Sequence, residues 1–231
     1  MYGKFLVEGD KLVRELLTSN FKVDAIYGMK GWHPEASGAD RGSKIPFTEI
    51  SESDLAKIST HESPNQVVAI AEIPAVEIRN LQSAIRNLVV VCDHLNDPGN
   101  AGTIIRTADW FGIETVIFSE NSVDVYNPKV VSSAKGSLFR VNCLYADLKA
   151  LFEANKDKKV YGTFMEGGSI YKTELQQNAF IVIGNEANGI NDDLLPYIAD
   201  KVSIPAFGKA ESLNAAMAAG IIMSEFKRGT V

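Results

Sequence analysis

The sequence predicts an α/β fold built mainly on a parallel sheet, and its second half carries the clearest indication. From Asn87 onward, short apolar segments alternate with segments of helical spacing, which is the pattern of strands joined by crossover helices. Residues 88–92 (LVVVC) are apolar at every position, as in a strand buried on both faces. In such sheets ligands bind beyond the carboxyl ends of the strands, so a site is expected in the loops that follow them.

The other elements of this half follow from the same alternation. Strands are predicted at residues 88–92, 115–118, 138–143, 159–164, 180–183 and 201–204. Helices are predicted at residues 101–111, 127–136, 147–155 and 191–198, and over the alanine-rich C-terminal segment. Asn100 is expected to cap the first of these helices and Ser212 the last, because either side chain can accept a hydrogen bond from a free amide.

The pattern of the first 75 residues predicts a smaller α/β unit. Helices are expected at residues 9–19 and 51–58, and strands at residues 23–27 and 66–73. Residues 31–46 are rich in Gly, Pro and polar side chains, which is typical of a mobile loop. The predicted division of the chain is a domain at residues 1–75, a linker at 76–87, and a larger domain at 88–231.

Composition and charge exclude several classes of protein. The 231 residues have a net charge of −6 and neither part is basic, which argues against broad non-specific binding to nucleic acid but allows a local basic patch. No run of 18 apolar residues is present, so no membrane span is expected, and the N-terminus lacks the pattern of a signal peptide. Cys92 and Cys143 are expected to be reduced and buried. Together with three scattered histidines they give no metal-ligand spacing, so no metal is predicted, and a cytoplasmic location is expected by default.

Three polar loops follow three of the predicted strands. The first is residues 97–106 (DPGNAGTIIR), in which Arg106 falls almost two helical turns after Asn100. The second is residues 184–189 (GNEANG), with Glu186 near its tip. The third carries Ser212 and Asn214. Because the carboxyl ends of parallel strands share one edge of the sheet, the three loops are expected to converge there.

Each of these side chains also has a purely structural interpretation. A single arginine on a helix usually faces solvent, and Glu186 precedes a predicted helix, whose dipole favours an acidic group. The nucleotide-binding patterns GxGxxG and GxxxxGK[ST] are absent, as is a GxSxG nucleophile elbow. No histidine lies in the three loops and no carboxylate pair of the glycosidase kind is evident, so neither a Ser–His triad nor glycoside hydrolysis is expected.

Three segments carry a resemblance to a known family. NAGTIIRTADWFG, FIVIGNEANGI and VSIPAFGKAESLNAAMAAGI, in this order, resemble the three motifs of the SpoU (TrmH-type) RNA ribose 2′-O-methyltransferases of the SPOUT superfamily. The resemblance extends over about residues 88–228. The earlier segment ESPNQVVAIAEI is similar to part of the L30e-like substrate-binding domain that many members carry, and such a domain would suit structured RNA.

The resemblance implies an α/β fold with a C-terminal trefoil knot, an obligate homodimer, and S-adenosylmethionine as methyl donor. The positions that match the donor-binding residues of the family are Gly184, Glu186, Ile204, Ser212 and Leu213. The positions that match its catalytic side chains are Asn100, Arg106, Glu186, Ser212 and Asn214. The GNEANG loop departs from the commoner family pattern, because Ala187 and Asn188 occupy positions where a glycine is frequent.

The resemblance assigns to Arg106 the activation of the ribose 2′-hydroxyl. A guanidinium is a very poor base, so we favour a role in which Arg106 stabilises the developing alkoxide, with general-base catalysis as the alternative. RNA contacts are expected from basic residues in two parts of the chain, although ordinary solvated charges are the competing interpretation. These residues are Lys129, Lys135, Arg140, Arg41 and Lys44.

The predicted function is therefore S-adenosylmethionine-dependent methylation of a ribose 2′-hydroxyl. Ribosomal RNA is the preferred substrate because of the candidate RNA-binding first domain, and transfer RNA is the second choice. An RNA-binding assembly factor with a disused site is the alternative from another class, but all five polar motif residues are present. Methylation of a protein or a small molecule is a remoter alternative.

Overall fold

The computed structural model describes residues 3–34, 45–60, 65–74, 85 and 87–229. Within them the chain forms two lobes, each organised around one sheet: the first lobe is residues 3–74 and the second is residues 87–229. Arg41, Lys44 and most of the predicted linker 76–87 lie outside the described residues. No helix in the described part of the chain has the length and apolar character needed to cross a membrane.

The first lobe is a four-stranded sheet with two helices. Its strands are β1 Lys4–Glu8, β2 Val23–Gly28, β3 Phe47–Glu49 and β4 Val67–Glu72, and its helices are α1 Asp10–Thr18 and α2 Glu52–Ile58. The strand order is β1-β4-β2-β3, in which β2 and β3 are parallel and the other pairs are antiparallel. Both predicted helices and the strands predicted at 23–27 and 66–73 are confirmed. β1 and β3 are not predicted, because five and three residues are too few for a clear period-2 pattern.

The second lobe contains a six-stranded sheet in which every neighbouring pair is parallel. Its strands are β5 Val89–Cys92, β6 Thr115–Ser119, β7 Asn142–Ala146, β8 Lys159–Ser169, β9 Ala179–Ile183 and β10 Asp200–Ser203. Its α-helices are α3 Pro98–Trp110, α4 Pro128–Ala134, α5 Leu148–Ala154 and α6 Ala215–Arg228, and 3₁₀ helices form at Lys135–Phe139 and Asp192–Tyr197. The strand order is β10-β8-β9-β5-β6-β7, so the predicted parallel α/β sheet is confirmed.

The central strands explain the apolar segments in the sequence. All residues of β5, β6 and β9 are buried, as expected for strands covered by helices on both faces. Cys92 and Cys143 are both free thiols, and Cys92 is buried while Cys143 is half-buried. Desolvation raises the pKa of Cys143 to about 12 and raises the pKa of Cys92 still further above its ordinary value. Neither thiol is therefore an available nucleophile at neutral pH.

One predicted strand is partly wrong. The segment 138–143 was expected to be extended throughout, but Leu138 lies in the 3₁₀ helix Lys135–Phe139 and β7 begins only at Asn142. Leu138 is 2% exposed and belongs to the core. A short apolar segment does not reveal whether it is buried from a strand or from a helical turn, and that ambiguity produced the error.

Both predicted caps at the site are also wrong. α3 begins at Pro98 and is capped by Asp97, whose side chain accepts a hydrogen bond from the backbone amide of Asn100 at 2.7 Å. Asn100 therefore lies in the first turn of the helix. α6 is capped by Asn214, whose Oδ1 accepts from two amides of the first turn, and not by Ser212. In both cases a capping residue adjacent to the helix was available, and the polar residue chosen from the sequence lay two or three positions away.

Aromatic side chains join the two lobes. Phe5 of β1 and Tyr126 have ring centroids 4.8 Å apart, and Phe21 and Phe139 have centroids 5.4 Å apart in an edge-on arrangement. Offset and edge-on aromatic pairs are favourable beyond the apolar area that they bury. Buried residues of both sheets accordingly belong to one continuous hydrophobic core, so the first lobe is packed against the second.

Arg140 adds polar contacts to the same junction. Its guanidinium donates to Glu15 of α1 at 3.0 Å and to Asp109 of α3 at 2.8 Å. Desolvation opposes the charged form of Asp109, but hydrogen bonds from Arg140 and Ser137 outweigh it and hold the pKa of this carboxyl below its ordinary value. Arg140 thus links a helix of the first lobe to a helix of the second.

Helices α3 and α4 of the second lobe approach each other closely at Gly102 of α3. A Cβ at this position would lie 2.7 Å from the Val130 carbonyl oxygen and 2.8 Å from the Ala134 amide nitrogen of α4. We expect Gly102→Ala to lower the free energy of unfolding by about 1–3 kcal/mol, because backbone atoms must separate to admit the methyl group. Urea denaturation followed by circular dichroism would measure this change.

Gly220→Ala provides a matched control for this stability prediction. Gly220 lies in α6, and its added Cβ would meet only the Thr107 methyl group at 3.7 Å, an ordinary contact. Since alanine favours a helix by up to about 1 kcal/mol relative to glycine, this variant should be as stable as the parent or more stable. Equal destabilisation by the two substitutions would contradict the packing argument at Gly102.

Candidate active site

Two central strands bring the first and second loops to one edge of the sheet. β5 and β9 are parallel neighbours, with Cys92 beside Ile183 at their carboxyl ends. The segment after β5 leads into α3 and the segment after β9 forms the turn 184–189. The topology therefore places both loops side by side, as the alternation of strands and helices predicts.

Asn100 joins all three loops through its side chain. Its Nδ2 donates to Glu186 Oε1 at 2.8 Å, and its Oδ1 accepts from Asn214 Nδ2 at 2.8 Å. These partners lie 86 and 114 residues away along the chain. Asn100 is 9% exposed, so both of its polar ends are satisfied within a largely desolvated position. The predicted convergence of the three loops is thus observed for Asn100, Glu186 and Asn214.

The capping arrangement leaves these amide groups available. Since Asp97 caps α3, the Asn100 side chain is not needed for its own helix and can bridge the neighbouring loops. Asn214 serves two purposes at once: its Oδ1 caps α6 while its Nδ2 reaches Asn100. These hydrogen bonds therefore fix the Glu186 carboxylate relative to the first turns of α3 and α6.

The 184–189 turn is held closed by its own backbone. Asn185 and Gly189 exchange two backbone hydrogen bonds of 2.9 Å. A Cβ at Gly184 would overlap the backbone of Gly189 and Ile190, so no other residue type fits there. The Asn185 carboxamide oxygen accepts from the amides of Ala187 and Asn188, which orders the tip even though the commoner glycine is absent.

Arg106 lies on an exposed face of α3. Thr103, Arg106 and Trp110 are all exposed and recur at the spacing of one helical face. Among the described residues none forms a hydrogen bond or an ion pair with the Arg106 guanidinium, and Glu186 is bonded by Asn100. The guanidinium is therefore available to a substrate or to a second subunit.

The third loop presents side chains with few contacts to the rest of the chain. Ser212 is exposed, and within the described residues its hydroxyl has no hydrogen-bond partner. Leu213 is 48% exposed, whereas Ile204 is half-buried against the core. Together with Gly184 and Glu186 these residues complete the predicted donor-binding set.

The predicted RNA-binding residues fall into different environments. Lys129 and Lys135 are exposed on and after α4. Arg140 is also exposed but is engaged by Glu15 and Asp109 at the junction of the lobes.

The polar cluster at this edge also contains three residues that were not singled out from the sequence: Asp93, His94 and Asn185. Asp93 is 2% exposed, and only its position directly after a buried strand could have drawn attention to it. The Asn185 carboxamide also donates to the His94 carbonyl at 2.7 Å. Such contacts depend on loop geometry that no local pattern encodes.

Two family models match the chain. Residues 87–224 match the model of the SpoU rRNA Methylase family, and residues 1–69 match the model of an MRM3-like substrate binding domain. The first match covers the whole six-stranded sheet and the three loops.

Curated relatives match over nearly the full chain. The 23S rRNA (guanosine(2553)-2′-O)-methyltransferase RlmP of Bacillus subtilis is 33% identical over 95% of this chain and 86% of its own length. A 23S rRNA (uridine(2479)-2′-O)-methyltransferase of Streptomyces viridochromogenes is 34% identical over 98% of this chain and 83% of its own length.

Solved structures agree with these relatives. The SpoU methyltransferase AviRb from Streptomyces viridochromogenes, in complex with AdoMet, superposes with a TM-score of 0.86 at 29% identity, covering 99% of this chain and 91% of that one. The AdoMet-bound rRNA methyltransferase from Sinorhizobium meliloti gives a TM-score of 0.87 at 26% identity, covering 99% and 88%. The parallel sheet and the three loops joined at its edge therefore define a methyltransferase of the α/β class. The chain belongs to the SpoU rRNA methylase family, as the motifs in its sequence predicted.

Proposed function

We propose that this protein transfers a methyl group from S-adenosylmethionine to a ribose 2′-hydroxyl in ribosomal RNA. The observation that carries the proposal is the Asn100 side chain, which bonds both Glu186 and Asn214. Asn100 lies on α3, the helix that also carries Arg106, whose guanidinium has no partner among the described residues. Relatives that match both lobes are named as 23S rRNA 2′-O-methyltransferases, which favours ribosomal over transfer RNA. Because those two act on a guanosine and a uridine, the base is left open.

The residues around the 184–189 turn fit S-adenosylmethionine. Gly189 closes the turn by its backbone hydrogen bonds with Asn185 and has open space where a Cβ would lie, so a ligand can approach its backbone closely. Leu213 and Ile204 offer apolar surface, and the Ser212 hydroxyl is available for a hydrogen bond. When bound, the sulfonium group supplies an activated methyl group.

The side chains of the protein would orient the ribose and stabilise charge. As the 2′-hydroxyl loses its proton, negative charge develops on the oxygen, and a guanidinium that donates to this oxygen lowers the barrier. Arg106 has no partner among the described residues, so it can donate without first breaking an ion pair. Asn100 holds Glu186 and Asn214 in fixed positions, which reduces the freedom that must be lost before reaction.

RNA binding is assigned to the first lobe and to the adjoining surface of α4. A cleft of about 360 Å³ lies between the lobes, lined by Thr60 on one side and by Lys129, Ser132 and Ser133 on the other. Hydroxyl groups and a lysine are suited to phosphate and sugar oxygens. Residues 1–75 act as the substrate-binding domain in this proposal, and Lys129 and Lys135 provide charge on an otherwise acidic protein.

A homodimer, a C-terminal trefoil knot and a cytoplasmic location complete the proposal. Support for a dimer comes from Trp110 on α3 and Met217 on α6, which are 85% and 62% exposed on helices that contact each other. Support for the knot comes from family membership. The face that carries Trp110 also carries Arg106, so dimerisation would enclose the guanidinium.

We expect Trp110→Glu to convert the protein to a monomer, because a buried unpaired carboxylate at an interface is strongly unfavourable. Sedimentation velocity would measure the change. Tyr171→Glu is the matched control, since Tyr171 is also exposed, at 48%, but lies outside α3 and α6. A dimer that survives Trp110→Glu, or a monomeric parent protein, would contradict the assignment of this face.

The proposed activity is tested with labelled S-adenosylmethionine and deproteinised 23S and 16S ribosomal RNA, with transfer RNA as a parallel substrate. Label should enter ribosomal RNA, and mapping of alkali-resistant linkages should locate one 2′-O-methyl nucleotide. Incorporation only into transfer RNA would reject the choice of substrate. Donor binding by calorimetry without transfer to any RNA would reject the transferase proposal, and absence of donor binding would support an RNA-binding factor.

A further inference from the structure

A second polar cluster lies at the same edge of the sheet, directly after β5. The two oxygens of the buried Asp93 carboxylate have separate partners: Oδ1 lies 2.8 Å from His94 Nδ1, and Oδ2 accepts from the Asn191 amide at 2.7 Å. Asn191 caps the 3₁₀ helix that follows the 184–189 turn. One buried carboxylate therefore fixes both the imidazole of His94 and the far end of the turn that carries Glu186.

The backbone of His94 has a positive φ, which is uncommon for residues other than glycine. Its φ is 49°, in the left-handed region that glycine adopts without steric cost. The conformation is fixed from both sides, because His94 N donates to Ser119 Oγ at 2.8 Å and His94 O accepts from Asn185 Nδ2 at 2.7 Å. A strained residue held by its surroundings indicates that the side chain has a role beyond backbone shape.

The imidazole is oriented but remains accessible. Its bond to the Asp93 carboxylate assigns the proton to Nδ1 and leaves Nε2 as an acceptor in the neutral ring. Nε2 lies 3.3 Å from the exposed Asn121 amide nitrogen, and the His94 side chain is 38% exposed. A flat ring of fixed orientation, with a polar amide beside it, thus lies on the rim of the site.

We propose that His94, with Asn121 beside it, contacts the base of the target nucleotide and helps to determine specificity. Unpaired RNA bases are recognised by stacking on aromatic side chains, histidine among them, and by hydrogen bonds to their edges. The Asn185 side chain donates to the His94 carbonyl, and Asn185 is the neighbour of Glu186 in the turn, so the imidazole belongs to a residue held beside the proposed site. The inference rests on the proposed RNA methyltransferase function and adds to it a residue that reads the substrate.

His94→Gly and His94→Asn test the inference, because both residues tolerate the left-handed backbone and both lack the ring. We expect the KM for RNA to rise roughly 5- to 150-fold, the range for loss of one stacked base. The Kd for S-adenosylmethionine and kcat at saturating RNA should stay within about twofold. His94→Phe, which keeps a flat ring, should recover part of the RNA affinity. Gln176→Ala, at an exposed neutral side chain that precedes β9 and so lies near the amino ends of the strands, is the control.

An unchanged KM for RNA in both variants would overturn the proposal. So would a parallel rise in the Kd for S-adenosylmethionine, since His94 would then merely support the turn. A parent protein that methylates no RNA refutes the proposed function, and this result is seen before any substitution at His94 is made. The two failures are therefore distinguishable.

Discussion

Arg106→Ala is expected to reduce methyl transfer by about 10²- to 10³-fold, the cost of removing one donor to a developing oxyanion, while the Kd for S-adenosylmethionine stays near that of the parent. Arg106 is exposed and has no partner among the described residues, so its loss should leave the fold intact. It lies six residues after Asn100 on α3, about 9 Å along the helix axis, and it forms no hydrogen bond or ion pair with the described residues of the turn assigned to the donor. Single-turnover methylation and calorimetry would measure the two effects separately.

Arg106→Lys is the control that distinguishes the two proposed roles of this residue. A lysine keeps the positive charge but loses the planar set of donors, so a stabilising role predicts activity between the parent and the alanine variant. If Arg106 acted as a general base, lysine would give a different pH dependence of kcat, because an ammonium loses its proton more readily than a guanidinium. Undiminished transfer by Arg106→Ala would remove this residue from the active site altogether.

The convergence of the three loops could be predicted from the sequence because it follows from topology alone. Parallel strands end at one edge, so polar residues after residues 88–92 and 180–183 must lie near each other. The hydrogen bonds from Asn100 to Glu186 and Asn214 show that the three loops do meet at this edge. What the sequence did not reveal is that Asp97 and Asn214 cap the helices, since several adjacent polar residues could each have done so.

Arg140 shows a different limit of sequence interpretation. In the sequence it is one of several cations near α4 and was expected to contact RNA. In the structure it bonds to Glu15, 125 residues away, and to Asp109. Because Glu15 is so distant in the chain and lies on the other lobe, no pattern in the sequence around Arg140 indicates this ion pair. Lys129 and Lys135, which remain exposed, therefore become the stronger candidates of this group for contacts with phosphate.

The Asn100 bridge yields the second prediction of large effect. Asn100→Ala removes the donor to Glu186 and the acceptor for Asn214 together, so the three loops lose their common link. We expect kcat to fall by about 10²-fold, since a displacement of about 1 Å in catalytic groups can have that effect. Loss of buried hydrogen bonds should also lower the free energy of unfolding by about 1–3 kcal/mol. Methylation kinetics and urea denaturation would measure both changes.

Asn100→Asp removes only the N–H donor to Glu186, whereas Asn100→Ala removes both hydrogen bonds of the side chain. The new carboxylate keeps an acceptor for Asn214 but faces Glu186 Oε1 at the distance where Asn100 Nδ2 now donates, 2.8 Å. Two carboxylates this close do not both stay ionised at low cost, so the pair binds a proton as the pH falls, and that proton restores a donor between them. The activity of Asn100→Asp relative to the parent should therefore be lowest at high pH and rise towards acidic pH, whereas the ratio for Asn100→Ala should be independent of pH. Identical pH profiles for the two variants would mean that the Asn100–Glu186 hydrogen bond does not control the reaction.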